Sequence, residues 1–140
     1  MNQYAPDFRA YAPLEVLVYS SNATTRSRVE QALGSAPDNS IARLRFTHAA
    51  TEPAVMRHIS RQPIDLVILD GEASPAGGLG VARQLKDELR QHIPMVALLG
   101  RDQDVWLARW SRVDGVVMHP VDPVALAEAV IPLLRRRIAS

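Results

Sequence analysis

One carboxylate in this chain stands where chemistry is expected. The run Pro63-Ile64-Asp65-Leu66-Val67-Ile68-Leu69-Asp70 is β-branched and aliphatic and ends in Asp70. A turn rich in glycine follows, Gly71-Glu72-Ala73-Ser74-Pro75-Ala76-Gly77-Gly78-Leu79-Gly80, and an amphipathic stretch comes after it. A lone Asp at the carboxyl end of a buried parallel strand points into the crevice where open α/β sheets place their ligands. It can take part in group transfer or cation binding there, or it can bond the turn that follows, as Asp side chains commonly do.

Other chemical patterns are thin. The stretch Ser20-Ser21-Asn22-Ala23-Thr24-Thr25 is a hydroxyl-rich turn onto a helix start, a place suited to anions. It lacks the glycine that lets backbone amides approach a phosphate, so a helix N-cap is the better use of these residues. The four histidines, His48, His58, His92 and His119, show no metal-ligand spacing. Gly77-Gly78-Leu79-Gly80 does not have the glycine spacing of a dinucleotide fingerprint. No nucleophile elbow or Walker loop occurs.

The elements that must position Asp70 alternate along the chain. Val16–Tyr19 reads as a first strand, followed by a helix over 23–33 with Thr25, Val29, Ala32 and Leu33 on one face and Gly34 as its stop. Ile41–Phe46 is the expected second strand, more polar and therefore an edge strand. Thr51 caps a helix with Pro53 in its first turn and Val55 and Ile59 facing inward. The third strand ends at Asp70, and its helix carries Val81, Ala82, Leu85 and Leu89. Pro94–Leu99 is the fourth strand, and Asp102 is the expected cap of a helix reaching about Arg112. Val116–Met118 is the fifth strand, and Asp122-Pro123 starts a last helix that runs into Arg135-Arg136-Arg137. Five strand–helix units with near-continuous apolar strands predict a doubly wound parallel sheet of order 2-1-3-4-5, flavodoxin-like, with its crevice between strands one and three.

Composition bounds the function. With 140 residues, 47% of them apolar and 22% charged, the chain can bury one core of ordinary globular kind. The expected division is an N-terminal extension over 1–13 and one domain over 14–140. Sixteen basic against fifteen acidic residues leave a net charge of +1, without the excess that marks a nucleic-acid binder. The absence of cysteine excludes disulfides and thiolate chemistry. No apolar run approaches the roughly 20 residues that span a bilayer, and Met1 to Pro13 hold no apolar signal core. The chain is therefore expected to be cytoplasmic, with no direct membrane insertion.

The register of these landmarks resembles the receiver domain of two-component response regulators, over nearly all of the chain after Pro13. The resemblance implies that Asp70 matches the phosphoacceptor. The paired acidic residues that hold magnesium in active receivers are matched by Ser20 and Ser21, two neutral hydroxyls where magnesium wants carboxylates. The Thr or Ser that ends the fourth strand is matched by Leu99, the aromatic switch residue by Val116, and the Lys-Pro pair by His119-Pro120. The glycine eight residues beyond the Asp is kept as Gly78, while the loop proline falls one place late at Pro75. Phosphoryl transfer depends on neutralising spread negative charge, so these replacements predict a receiver that has kept the fold and lost the reaction. The expected function is then non-catalytic protein binding. A single-domain signalling receiver phosphorylated on Asp70 by a kinase is the alternative, and a flavin or nucleotide binder using the same crevice is the second. A narrower similarity, through Leu17-Val18-Tyr19-Ser20, Ile68-Leu69-Asp70-Gly71-Glu72-Ala73, Gln84-Leu85-Lys86-Asp87-Glu88-Leu89 and His119-Pro120-Val121-Asp122-Pro123, is to orphan receiver-like proteins associated with the bacterial proton-pumping NADH dehydrogenase, respiratory complex I. It implies an accessory subunit on the cytoplasmic arm.

Surface features point to a protein partner. The last helix is apolar around well over half its circumference, more than packing on one sheet face requires. Pro132 within it should weaken or kink it, at about 3 kcal/mol unless packing compensates. Trp106 and Trp110 stand four residues apart on one helix face, where they serve either as core or as interface. Trp106, Trp110 and Ile131 are the candidate anchors, with Tyr4, Phe8 and Tyr11 of the extension as a second group. No cofactor is expected. The purified protein should be colourless, and a visible flavin absorption band stoichiometric with protein would overturn that expectation.

Overall fold

The computed structural model describes residues 12–73, 77–88, 92–100 and 104–139. Five strands, β1 (Leu14–Tyr19), β2 (Leu44–Ala49), β3 (Leu66–Asp70), β4 (Met95–Leu99) and β5 (Gly115–Met118), alternate with α1 (Ala23–Leu33), α2 (Glu52–Arg61), α3 (Gly78–Glu88), α4 (Val105–Ser111) and α5 (Pro123–Ala139). All strand pairs are parallel and lie in the order β2-β1-β3-β4-β5, the order expected from the sequence. β3 and β4 are buried along their whole length. That is why their sequences are continuous apolar runs without alternation.

Successive side chains of a strand leave by opposite faces, and this sorts the core. Val16, Val18, Leu66, Ile68, Val96 and Leu98 meet Val29 and Leu33 of α1 and Leu126, Val130 and Leu134 of α5. Leu17, Tyr19, Val67, Leu69 and Met95 face Val55 of α2 and Val81, Ala82 and Leu85 of α3. Ala97 and Leu99 close a smaller cluster with Leu79 and with Ala108 of α4. Two carboxylates hold the lower strand edges. Asp65 Oδ2 accepts the Glu15 N–H at 2.8 Å, and Asp114 Oδ2 accepts the Met95 N–H at 2.8 Å.

The caps follow the sequence in most places. Asn22 accepts from the Thr24 amide, Thr51 from the Ala54 amide and Asp122 from the Ala125 amide. Gly34 stops α1 at φ 66°, in the left-handed region that glycine enters without strain.

Two expectations need correction. β2 begins at Leu44, not Ile41, because the parallel register sets Leu44 opposite Leu14. Ile41 and Ala42 are buried as a loop plug under α1 and α5, so their apolar character reflects burial and not strand pairing. The residue before α4 is Asp104, which makes no side-chain cap bond; Asp102, like Leu89, lies outside the described residues. Pro132 stands inside α5, which runs past the expected Arg135-Arg136-Arg137 to Ala139. Leu133 and Leu134 just beyond it are both buried, and this packing offsets the lost backbone bond.

The loop after α1 is tied to α5. Asp38 accepts hydrogen bonds from the amide and hydroxyl of Ser40 and from Arg135, whose Nη2 lies 3.1 Å away. The Ser40 bonds first, and Arg135 after them, hold the Asp38 carboxyl below its ordinary value of 3.8. A lowered folded-state value favours the fold above the unfolded value, and that contribution is lost as pH falls through the folded one. Asp38→Asn should therefore flatten the fall of melting temperature between roughly pH 5 and pH 2, measured by thermal melts across that range.

Candidate functional site

Asp70 ends the central strand and is only 3% exposed. A buried carboxylate must find donors or lose its charge, and the carboxyl ends of three strands supply them. Ser20, the residue after β1, is wholly buried, and its hydroxyl donates to Asp70 Oδ2 at 2.7 Å. The Glu72 amide donates to Oδ1 at 2.9 Å. His119, the residue after β5, places Nε2 at 3.1 Å from the same Oδ1. Against a carboxylate, which only accepts, that ring nitrogen carries the proton. The His119-Pro120 bond is cis, which the sequence had left open.

Around these contacts lies a cleft of about 450 Å³ lined by Ser21, Asn22, Thr25, Asp70, Glu72, Gly100 and His119. Its wall continues below. The Asn22 amide donates to Ser20 Oγ at 3.0 Å, and Arg26 donates through Nη1 to the Ser20 carbonyl. The buried Nε of Arg26 has no hydrogen-bond partner among the described residues. Under the cleft, burial first, and then the carboxylates of Glu52 and Asp70, push the Tyr19 phenol above its ordinary value.

Asp70, Ser20, Ser21 and His119 are thus brought together as the sequence comparison implies. Leu99 is not. Its side chain is buried among Leu79, Ala97 and Ala108, and the next residue, Gly100, lines the cleft instead. An apolar chain in that position gains by turning under α3 and α4 rather than facing a polar crevice. Val116 stands on β5 and is 37% exposed. Asn22 and Thr25, from the hydroxyl-rich turn, line the cleft too, as do Glu72 and Gly100, to which no motif points. Glu72 and Gly100 follow β3 and β4 directly, and position after a strand end is the signal that could have found them.

The anchor residues divide. Trp106 is 65% exposed, on α4, and is no part of the core. Ile131 is half-buried and packs on the α1–α5 core while lining an apolar groove along α5 with Val124, Ala127 and Pro132. The side chain of Trp110 and all of Tyr4, Phe8 and Tyr11 lie outside the described residues.

Magnesium does not fit the residues present. It needs hard oxygen ligands, usually with carboxylates among them, and no group of three His, Cys, Asp or Glu able to hold a metal occurs among the described residues. Both Asp70 oxygens are already engaged by protein donors.

A parallel 2-1-3-4-5 sheet with an Asp at the end of its third strand places the chain in the flavodoxin-like class of folds, which receivers share. No family model matches the chain. Relatives in two strains of Mycobacterium tuberculosis, each named an uncharacterized response regulatory protein, are 51% identical over 122 residues, which is 87% of this chain and 92% of theirs. The chain belongs to the response regulator family. Its fold is similar to chemotaxis response regulator CheY4 of Vibrio cholerae, with a TM-score of 0.74 at 15% identity over 88% of this chain and all of that one. Response regulator DrrB of Thermotoga maritima matches with a TM-score of 0.73 at 19% identity, over 89% of this chain. There the chain spans about half of the other's length, 54%.

The hydroxyl of Ser20 is the contact most easily removed without disturbing the strand. Ser20→Ala leaves Asp70 Oδ2 buried and short of its donor, and should cost about 1–3 kcal/mol. Urea denaturation at neutral pH measures it. An unchanged midpoint would show that Oδ2 is solvated by other means.

Proposed function

We propose that this protein is a response regulator whose receiver domain uses Asp70 as its phosphoacceptor, with contact with a protein partner as its output. The observation that carries this reading is the placement of Asp70. It sits at the mouth of the cleft, with His119 on its carboxylate, in a chain 51% identical to response regulatory proteins. The cleft is less bare than a comparison of motifs implies, because His119 provides a hydrogen-bond donor where the family resemblance places lysine.

In this reading an oxygen of Asp70 bonds to the phosphorus of the donor. The bond from phosphorus to the donor's nitrogen or oxygen breaks, and its electron pair leaves with that atom. The product is an acyl phosphate on Asp70. Ser20 and Ser21 offer only neutral hydroxyls, so little charge is compensated and transfer is slow. The chain acts on no released substrate of its own and is not an enzyme in that sense.

A partner of protein character is supported by surface. Trp106 and Val124 are 65% and 64% exposed, and exposed aromatic and aliphatic anchors favour protein contact. The balanced charge of +1 gives no footprint for nucleic acid. No helix among the described residues is long and apolar enough to cross a membrane. An accessory role on respiratory complex I, at the cytoplasmic side of the membrane, rests on the four short stretches of similarity. The close relatives carry a response-regulator name instead.

Treatment with acetyl phosphate or phosphoramidate, read by intact mass, tests the assignment. A one-phosphate adduct that grows slowly and is absent from Asp70→Asn is expected. No adduct from either donor, with Asp70→Asn still capturing the same partners from native cells, would leave binding alone as the function and sink the phosphoacceptor reading.

A further inference from the structure

Glu72 spans the cleft by two bonds of different kinds. Its amide donates to Asp70 Oδ1 at 2.9 Å, and its side-chain Oε1 accepts the Gly100 N–H at 3.2 Å. The second bond runs from the turn after β3 to the residue that follows β4. Gly100 admits the carboxylate because it has no Cβ; a Cβ there would lie 2.7 Å from Oε1 and 3.0 Å from Cδ of Glu72. Both residues line the Asp70 cleft. A backbone donor on the wall of the site is thus held by an anion that the chain itself supplies.

We propose that Glu72 is an internal anion that occupies the Gly100 amide in the resting protein and competes for it with a phosphoryl group on Asp70. The competition rests on the reading of Asp70 as phosphoacceptor; the resting contact does not. A phosphoryl group brings roughly two negative charges and three acceptor oxygens. In one cleft of about 450 Å³ it repels the Glu72 carboxylate and seeks the same N–H donor. Glu72 thereby slows transfer, since it places negative charge where negative charge develops.

The test uses the full chain with Glu72→Ala, Glu72→Gln and Gly100→Ala. Hydrogen exchange at the Gly100 amide, followed by NMR in the unmodified protein, should rise about tenfold in Glu72→Ala. It should stay near wild type in Glu72→Gln, which keeps a carbonyl acceptor. Labelling of Asp70 by acetyl phosphate should be several-fold faster than wild type in Glu72→Ala and Glu72→Gln, because both remove the charge. Gly100→Ala should match them, since its Cβ expels the carboxylate. Unchanged exchange at Gly100 in Glu72→Ala overturns the proposal, as does labelling that is no faster in the two Glu72 variants. If exchange rises as expected but no variant is labelled, wild type included, the phosphoacceptor reading fails and the competition with it, and the resting contact stands.

Discussion

A carboxylate that is only 3% exposed needs the fold to bring hydrogen-bond donors to it. Asp70 obtains them from the ends of three different strands: the Ser20 hydroxyl after β1, the Glu72 amide after β3 and the His119 ring after β5. These groups lie about fifty residues apart in the chain and meet only when the parallel register is correct. The sheet and the site are therefore one constraint. A slip of β1 against β3 by one residue would strand Asp70 without Ser20 and turn every side chain of the strand to the wrong helix layer.

The same alternation governs which groups face the cleft and which face the core. Leu99 turns under α3 and α4, so Gly100 forms the wall. This removes from the cleft the residue whose type departs furthest from an active receiver, and it brings forward a backbone N–H that any residue type could have supplied. Glu72 exploits the vacancy. The carboxylate takes its present place at Gly100 where a Cβ would stand 2.7 Å from Oε1. Neutral hydroxyls stand where a metal would need acids, and the chain's own acid sits on the neighbouring loop amide.

The exposed apolar features lie on both faces of the sheet, since α4 packs on the face that α2 and α3 cover and α5 on the opposite one. Trp106 stands out from α4, and the apolar groove of α5 lies over Val124, Ala127 and Ile131. Ile131 belongs to both worlds, since it packs on the α1–α5 core while lining that groove. Truncating it would disturb that core packing, whereas Trp106, as exposed as it is, can be truncated with little effect on stability.

Much of this was legible in the sequence. Continuous apolar runs at β3 and β4 marked buried parallel strands, and Gly34, Thr51 and Asp122 marked helix ends, because burial and capping act locally on residue type. Asp70, Ser20 and His119 could be listed from their register as strand-end residues. Tertiary structure decided what no local pattern encodes. It set β2 at Leu44 by pairing with β1 and made Ile41 a loop plug. It carried α5 through Pro132 by burying Leu133 and Leu134. It also turned Leu99 away, and joined Glu72 to Gly100 across 28 residues of sequence. Residue type fixes what a side chain can donate, accept or bury, but which partner it meets depends on contacts between strand ends far apart in the chain.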